Sequence, residues 1–183
     1  MDNVEKLMVK YPDISYKFEP EMPGKQKGLY IDNIVYLNPN QSKKELYCTV
    51  AEEIGHHLTT CGDIIDQDSI EKWQQEQRAR DIGYMLAVPP KDIIDCYHER
   101  LEKVWECAEF LGVTEDTFTK AIKTYAKKYS QGLRYKNYSI RFRENGTVGV
   151  CDMKYNGVQP NKELSDQISD ELLKVSGHKF TIE

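Results

Sequence analysis

SKKELYCTVAEEIGHHLTT, residues 42–60, reads as one helix carrying a metal-hydrolase motif with one letter changed. Ser42 and Glu45 make the S-x-x-E pattern of a capping box, and Pro39 keeps the residues before it extended. Leu46, Val50, Ile54 and Leu58 then recur every four residues, which gives the helix one apolar face to bury. At about 100° per residue, Glu52 and His56 fall one turn apart on the flank of that face, with Glu53 beside them. This is the geometry of H-E-x-x-H, in which the outer residues hold zinc and the Glu is the general base. Here the five residues are Glu52-Glu53-Ile54-Gly55-His56, so the first ligand position holds Glu. The same residues also fit a charged face with a core histidine. His57 falls inside the apolar stripe and is expected to be a hydrogen-bonded core residue. A register one residue later, Glu53 with His57, puts Ile54 where the base belongs and is rejected.

Working outward, a small sheet is expected before this helix. Asn3 to Lys10 can form a short helix, and Ile14 to Phe18 alternates as a strand does. Gly28 to Ile31 and Ile34 to Leu37 flank Asp32-Asn33, a pair that tolerates a tight hairpin turn. After the helix, Gly62 can end it, and Asp63, Asp66 and Asp68 lie in a polar loop without the pattern of a calcium loop. Cys61 reads as a small apolar residue rather than a ligand. A second helix is expected from about Ile70 to Ala87, stopping before Pro89-Pro90. On it Glu76, Ala79 and Gly83 share a face. Two small residues beside one carboxylate let another helix come close, as Gly55 does on the motif helix. That suits a Glu reaching across to a metal; it equally suits a surface Glu with helix packing below it.

The two segments A-E-E-I-G-H-H-L-T-T-C-G-D and E-Q-R-A-R-D-I-G-Y-M-L-A-V-P together resemble the ImmA/IrrE-type metallopeptidases of bacteria and their mobile elements. The resemblance spans about residues 28 to 90 and extends more loosely beyond. It implies a zincin-like metallopeptidase domain with a Glu as third ligand. On that pattern His56 and Glu76 are ligands, Glu53 is the base, and Glu52 stands where the standard motif has His. It also implies Zn²⁺ as cofactor and a helix-turn-helix transcriptional repressor as the protein substrate. Cleavage would relieve repression of a phage, mobile element or stress regulon. Two carboxylates and one imidazole make an oxygen-rich set, so Mn²⁺ is a possible alternative. Tyr84 is a candidate for stabilising the oxyanion.

Beyond Pro90, Lys91 to Phe110 is expected to be one long helical segment. Ala108, Gly112 and Phe118 then sit where a helix-turn-helix wants a small residue, a turn glycine and an apolar anchor, with Thr114 as cap. Tyr138 to Phe142 and Thr147 to Cys151 flank Glu144-Asn145-Gly146, a hairpin signal. The fold class expected is thus α+β: a mainly helical zincin-like domain with a small sheet over 1–89, helix-turn-helix-like helices and a β-hairpin over 90–155, and a tail helix (Leu164, Ile168, Leu172, Val175) over 156–183.

The 183 residues carry a net charge of −5. Eight basic residues and no acidic ones lie between Thr117 and Arg143, leaving 17 basic against 30 acidic residues, or −13, elsewhere. The basic segment, with Tyr125, Tyr129, Tyr135 and Tyr138, could serve nucleic acid, or be the solvated face of a supporting helix. Three function classes therefore stand: a metallo-endopeptidase, a non-catalytic anti-repressor that binds the same partner, and a DNA-binding regulator. Five cysteines without a C-x-x-C pair suggest reduced thiols in a cytoplasm, and the amino terminus reads as neither signal peptide nor membrane span.

Overall fold

The structure, a computed structural model, describes residues 2–59 and 69–156. It is α+β. Helix α1 (Asn3–Val9) precedes strands β1 (Ser15–Phe18), β2 (Gly28–Ile31) and β3 (Ile34–Leu37). Helices α2 (Lys43–Thr59), α3 (Ser69–Ala87), α4 (Pro90–His98), α5 (Val104–Leu111) and α6 (Glu115–Lys128) follow, then β4 (Leu133–Tyr135), β5 (Tyr138–Phe142) and β6 (Val148–Asp152).

The first sheet has the order β1-β3-β2, with β1 parallel and β2 antiparallel to β3. The β2–β3 turn is Asp32-Asn33, and both residues have positive φ (49° and 60°). Short polar side chains tolerate that conformation, which matches the twist of the flanking strands. Val35 and Leu37 of the central strand are fully buried. β2 is left at the edge, against α2.

Helix α2 begins as the sequence implies. The Ser42 hydroxyl and backbone N–H both donate to the Glu45 carboxylate (2.8 and 3.1 Å), and the Glu45 N–H donates weakly back to Ser42 Oγ (3.3 Å). Val50 and Ile54 are fully buried, while Leu46 and Leu58 pack at the margin of the core. Helix α3 lies directly along α2. A Cβ on Gly55 would sit 2.2 Å from the Ala79 carbonyl oxygen, and one on Gly83 would sit 2.8 Å from Glu52 Cα. The small-residue face of α3 therefore meets the small residue of α2, backbone against backbone.

The long helix expected over Lys91 to Phe110 is two helices. Arg100 adopts a left-handed conformation (φ 58°), and the Leu101 N–H closes onto the Cys96 carbonyl, which ends α4. Glu106 then reaches back to accept from the backbone N–H groups of Glu102 and Lys103 (3.1 and 3.0 Å), which starts α5. Between α5 and α6, Gly112 is left-handed (φ 71°) and Thr114 Oγ1 accepts from the Thr117 N–H.

Helix α6 packs against α3 and the second sheet, β4-β5-β6. Half of its residues are buried. Tyr125 stacks on Phe142 with ring centroids 4.7 Å apart and donates to the Val88 carbonyl (3.1 Å). Tyr125 and Tyr135 are thus core residues and offer no face to nucleic acid, because α6 and β4 turn them inward. Most of the buried apolar residues join into one cluster running from Val4 to Phe142. Among the described residues no helix is long and apolar enough to cross a membrane. Cys61, Gly62, the acidic loop residues and the expected tail helix lie outside the described residues.

Candidate metal centre

The close approach of α2 and α3 sets the centre. Glu52 and His56, one turn apart on α2, face Glu76 on α3. One possible ligand atom from each of these three residues lies within 4.8 Å of the others. His56 Nε2 is 3.7 Å from Glu76 Oε2. These are the three residues that the sequence pattern singles out as ligands. All three are partly exposed, and His56 and Glu76 line a cleft of about 400 Å³ with Tyr30, Ile31, Asp32 and Gln75. The donor set fits a divalent cation: two carboxylates and one imidazole converge from two rigid helices, and a cation is what offsets their mutual repulsion.

Glu53 lies behind this triad and is 8% exposed. The edge strand covers it. A Cβ on Gly28 would sit 2.5 Å from Glu53 Oε1, so with the Glu53 side chain in this position β2 passes over it at a glycine. The Tyr30 backbone amide beside the carboxylate favours its charged form. Burial, followed by the neighbouring Glu52 and Glu76 charges, outweighs that effect and pushes the Glu53 carboxyl up to about 8.

His57 is partly buried, not deep in the core as its wheel position implies. Its Nδ1 is 2.9 Å from the Tyr30 hydroxyl, that hydroxyl donates its one proton to Asn33 Oδ1 (2.8 Å), and the Tyr30 and His57 rings meet edge to face. Tyr30 therefore touches both the carboxylate behind the triad and the histidine beside it. Tyr84, one turn beyond Arg80 on α3, is half-buried beneath the Lys120 ammonium, 5.7 Å from the ring centroid. Burial raises its hydroxyl pKa, and Lys120 opposes that rise.

Two residues of this site escape sequence reasoning. Tyr30 acts from a strand whose placement over α2 no local pattern encodes. Arg80 is the other. Its Nη2 is 2.8 Å from Glu76 Oε1, and its Nε is 3.5 Å from Glu52 Oε1. Its i,i+4 spacing from Glu76 is visible in the sequence. Its reach to Glu52 depends on how the two helices cross.

A cleft beside an edge strand and two helices, with three residues that could hold a metal ion and a buried carboxylate next to them, is an arrangement compatible with a metallopeptidase. The family model of the IrrE N-terminal-like domain, the M78 peptidases, matches residues 9–123, well over half of the chain. The chain belongs to this ImmA/IrrE-type family. No curated protein gives a significant match.

Proposed function

We propose that this protein is a metal-dependent endopeptidase that cleaves a helix-turn-helix transcriptional repressor and so relieves repression of a phage, mobile element or stress regulon. The observation that carries the peptidase part is the convergence of Glu52, His56 and Glu76 in front of the buried Glu53. The repressor as substrate is the part that rests on the resemblance to ImmA/IrrE-type proteins alone.

In this reading Glu52, His56 and Glu76 hold the ion, Zn²⁺ or Mn²⁺. The bound ion supplies Lewis acidity to a water and to the scissile carbonyl. Glu53 takes a proton from the attacking water and returns it to the leaving amine nitrogen. The Tyr30 amide beside Glu53 favours the charged carboxylate that this task needs. Tyr84 is the candidate donor to the developing oxyanion. β2 lies at the edge of its sheet beside the cleft, where an extended peptide would add to the sheet. The zincin-like description of residues 1–89 and the helix-turn-helix-plus-hairpin description of residues 90–155 belong to this proposal, with the second part holding the repressor. So does a cytoplasmic location.

The burial of half of α6, together with Tyr125 and Tyr135, favours a supporting role for the basic segment over DNA binding. The test is incubation of the purified protein with a helix-turn-helix repressor, with and without Zn²⁺ or Mn²⁺, followed by mass spectrometry of the fragments. Metal-dependent cleavage at a defined bond is the expected result. Tight repressor binding without any fragment would select the non-catalytic anti-repressor. Salt-dependent duplex binding with no affinity for the repressor would select the DNA-binding regulator.

A further inference from the structure

Arg80 contacts both carboxylates of the proposed ligand set. The Nη2 contact to Glu76 Oε1 is a charge-assisted hydrogen bond at 2.8 Å, and the Nε approach to Glu52 Oε1 is a longer ion pair at 3.5 Å. The guanidinium therefore ties α2 to α3 at the point where Glu52, Glu53 and Glu76 crowd together. Arginine suits this place. It is always charged, and its planar fork presents separate N–H groups to two acceptors, which a lysine ammonium on its flexible stem does less well. One guanidinium thus faces two carboxylates and offsets part of their charge.

We propose that Arg80 is a built-in counter-ion of the centre, which holds Glu52 and Glu76 together and competes with a divalent ion for them. A metal that takes an oxygen from each carboxylate meets groups already engaged by a positive charge. It must share them with Arg80 or displace it, and at this range the two cations repel. Arg80 is 48% exposed, so solvent screens the contest without abolishing it. This inference rests on the ligand set proposed above. It adds that the affinity of that set for metal is held down by a residue that is not itself a ligand.

The test is calorimetric titration of Zn²⁺ into chelator-treated wild type, Arg80→Gln and Arg80→Lys, alongside thermal melts of the same metal-free proteins. Arg80→Gln is expected to bind zinc about tenfold more tightly, the scale of one charge-assisted contact discounted for exposure. Its metal-free form is expected to melt lower than wild type, with zinc recovering the loss. Arg80→Lys should fall between the two in both measurements. A residue with only a structural role would lower the melting temperature without tightening zinc. In a Glu52→His background Arg80 keeps one carboxylate partner, so Arg80→Gln should tighten zinc by a smaller factor there. Equal or weaker zinc binding by Arg80→Gln in the wild-type background would overturn the proposal, and Arg80 would then be a support for the ligands. Should His56→Ala bind zinc as well as wild type does, the ligand set itself is wrong and this inference falls with it. Circular dichroism of each variant separates these outcomes from misfolding, and Arg80→Lys, which keeps the charge, supplies the comparison if Arg80→Gln does not fold.

Discussion

Gly55 of α2 lies so close to Ala79 of α3 that a Cβ at position 55 would come within 2.2 Å of the Ala79 carbonyl oxygen. The obstacle is backbone, which cannot rotate out of the way as a flexible side chain can. Gly55→Ala should therefore spread the two helices and move Glu76 away from His56. Alanine is the better helix former by up to about 1 kcal/mol, but the clash opposes it, and a net destabilisation of about 1–3 kcal/mol is expected. The melting temperature should fall and metal affinity with it. Gly24→Ala is the control, since a Cβ there meets nothing within 4 Å. A Gly55→Ala protein that melts and binds metal like wild type would contradict the helix contact.

Glu53→Gln should fold and bind metal but not cleave. The change is nearly isosteric and removes only the proton acceptor, and loss of a general base lowers rates by about 10²–10⁴-fold. Gel or mass-spectrometric turnover of a verified substrate measures it. Undiminished turnover would remove Glu53 from the mechanism.

The altered ligand makes its own prediction. Two carboxylates and an imidazole leave a bound divalent ion with no net charge, whereas two imidazoles and one carboxylate leave it positive, and the oxygen-rich set is the less suited to zinc. Glu52→His should tighten zinc, because it restores an imidazole at both i and i+4 and takes one partner from Arg80. Competition with a zinc-sensitive dye would show the shift. Equal or weaker zinc binding by this variant would mean that Glu52 is not a ligand.

Asp92, in the first turn of α4, gives a prediction about stability. Burial pushes its carboxyl up to about 6 from an ordinary 3.8, with Lys91 opposing the rise. Because the folded value is the higher one, the native protein binds more protons between those two pH values. Stability from this group is therefore greatest below about pH 4 and is lost as pH rises through 6. Asp92→Asn cannot ionise. It should melt about 2–4 °C higher than wild type at pH 7.5, with the difference vanishing near pH 4. Melts across this range check it; a constant offset at every pH would trace the effect to something other than ionisation.

The parts of this site that were legible in the sequence are those fixed within one element. The capping box of Ser42 and Glu45, the turn at Asp32-Asn33, the four-residue spacing of Glu52 and His56, and the face of Glu76, Ala79 and Gly83 are all local geometry. The rest depends on tertiary placement. Nothing between His98 and Val104 carries a proline or glycine, yet the helix breaks there because Arg100 turns left-handed and Glu106 caps the chain after it. β4 carries no local signal either: its three residues form a strand by pairing with β5 and by burying Leu133 and Tyr135 in the core. Tyr125 and Tyr135 looked like surface aromatics in a basic segment, and packing of α6 and β4 buries them. Arg80 and Tyr30 act on residues distant in sequence, so their roles appear only once α2, α3 and β2 are set side by side.

Strand β2 runs over Glu53 with no side chain at position 28 to hold it away. A Cβ at 28 would meet side chains, not backbone: Glu53 Oε1 at 2.5 Å and Thr49 Cγ2 at 2.6 Å. A larger residue at 28 would therefore turn those two side chains aside before it moved the strand. What the glycine sets is the direction in which the Glu53 carboxyl can point, so position 28 acts as a stop on the rotation of that side chain.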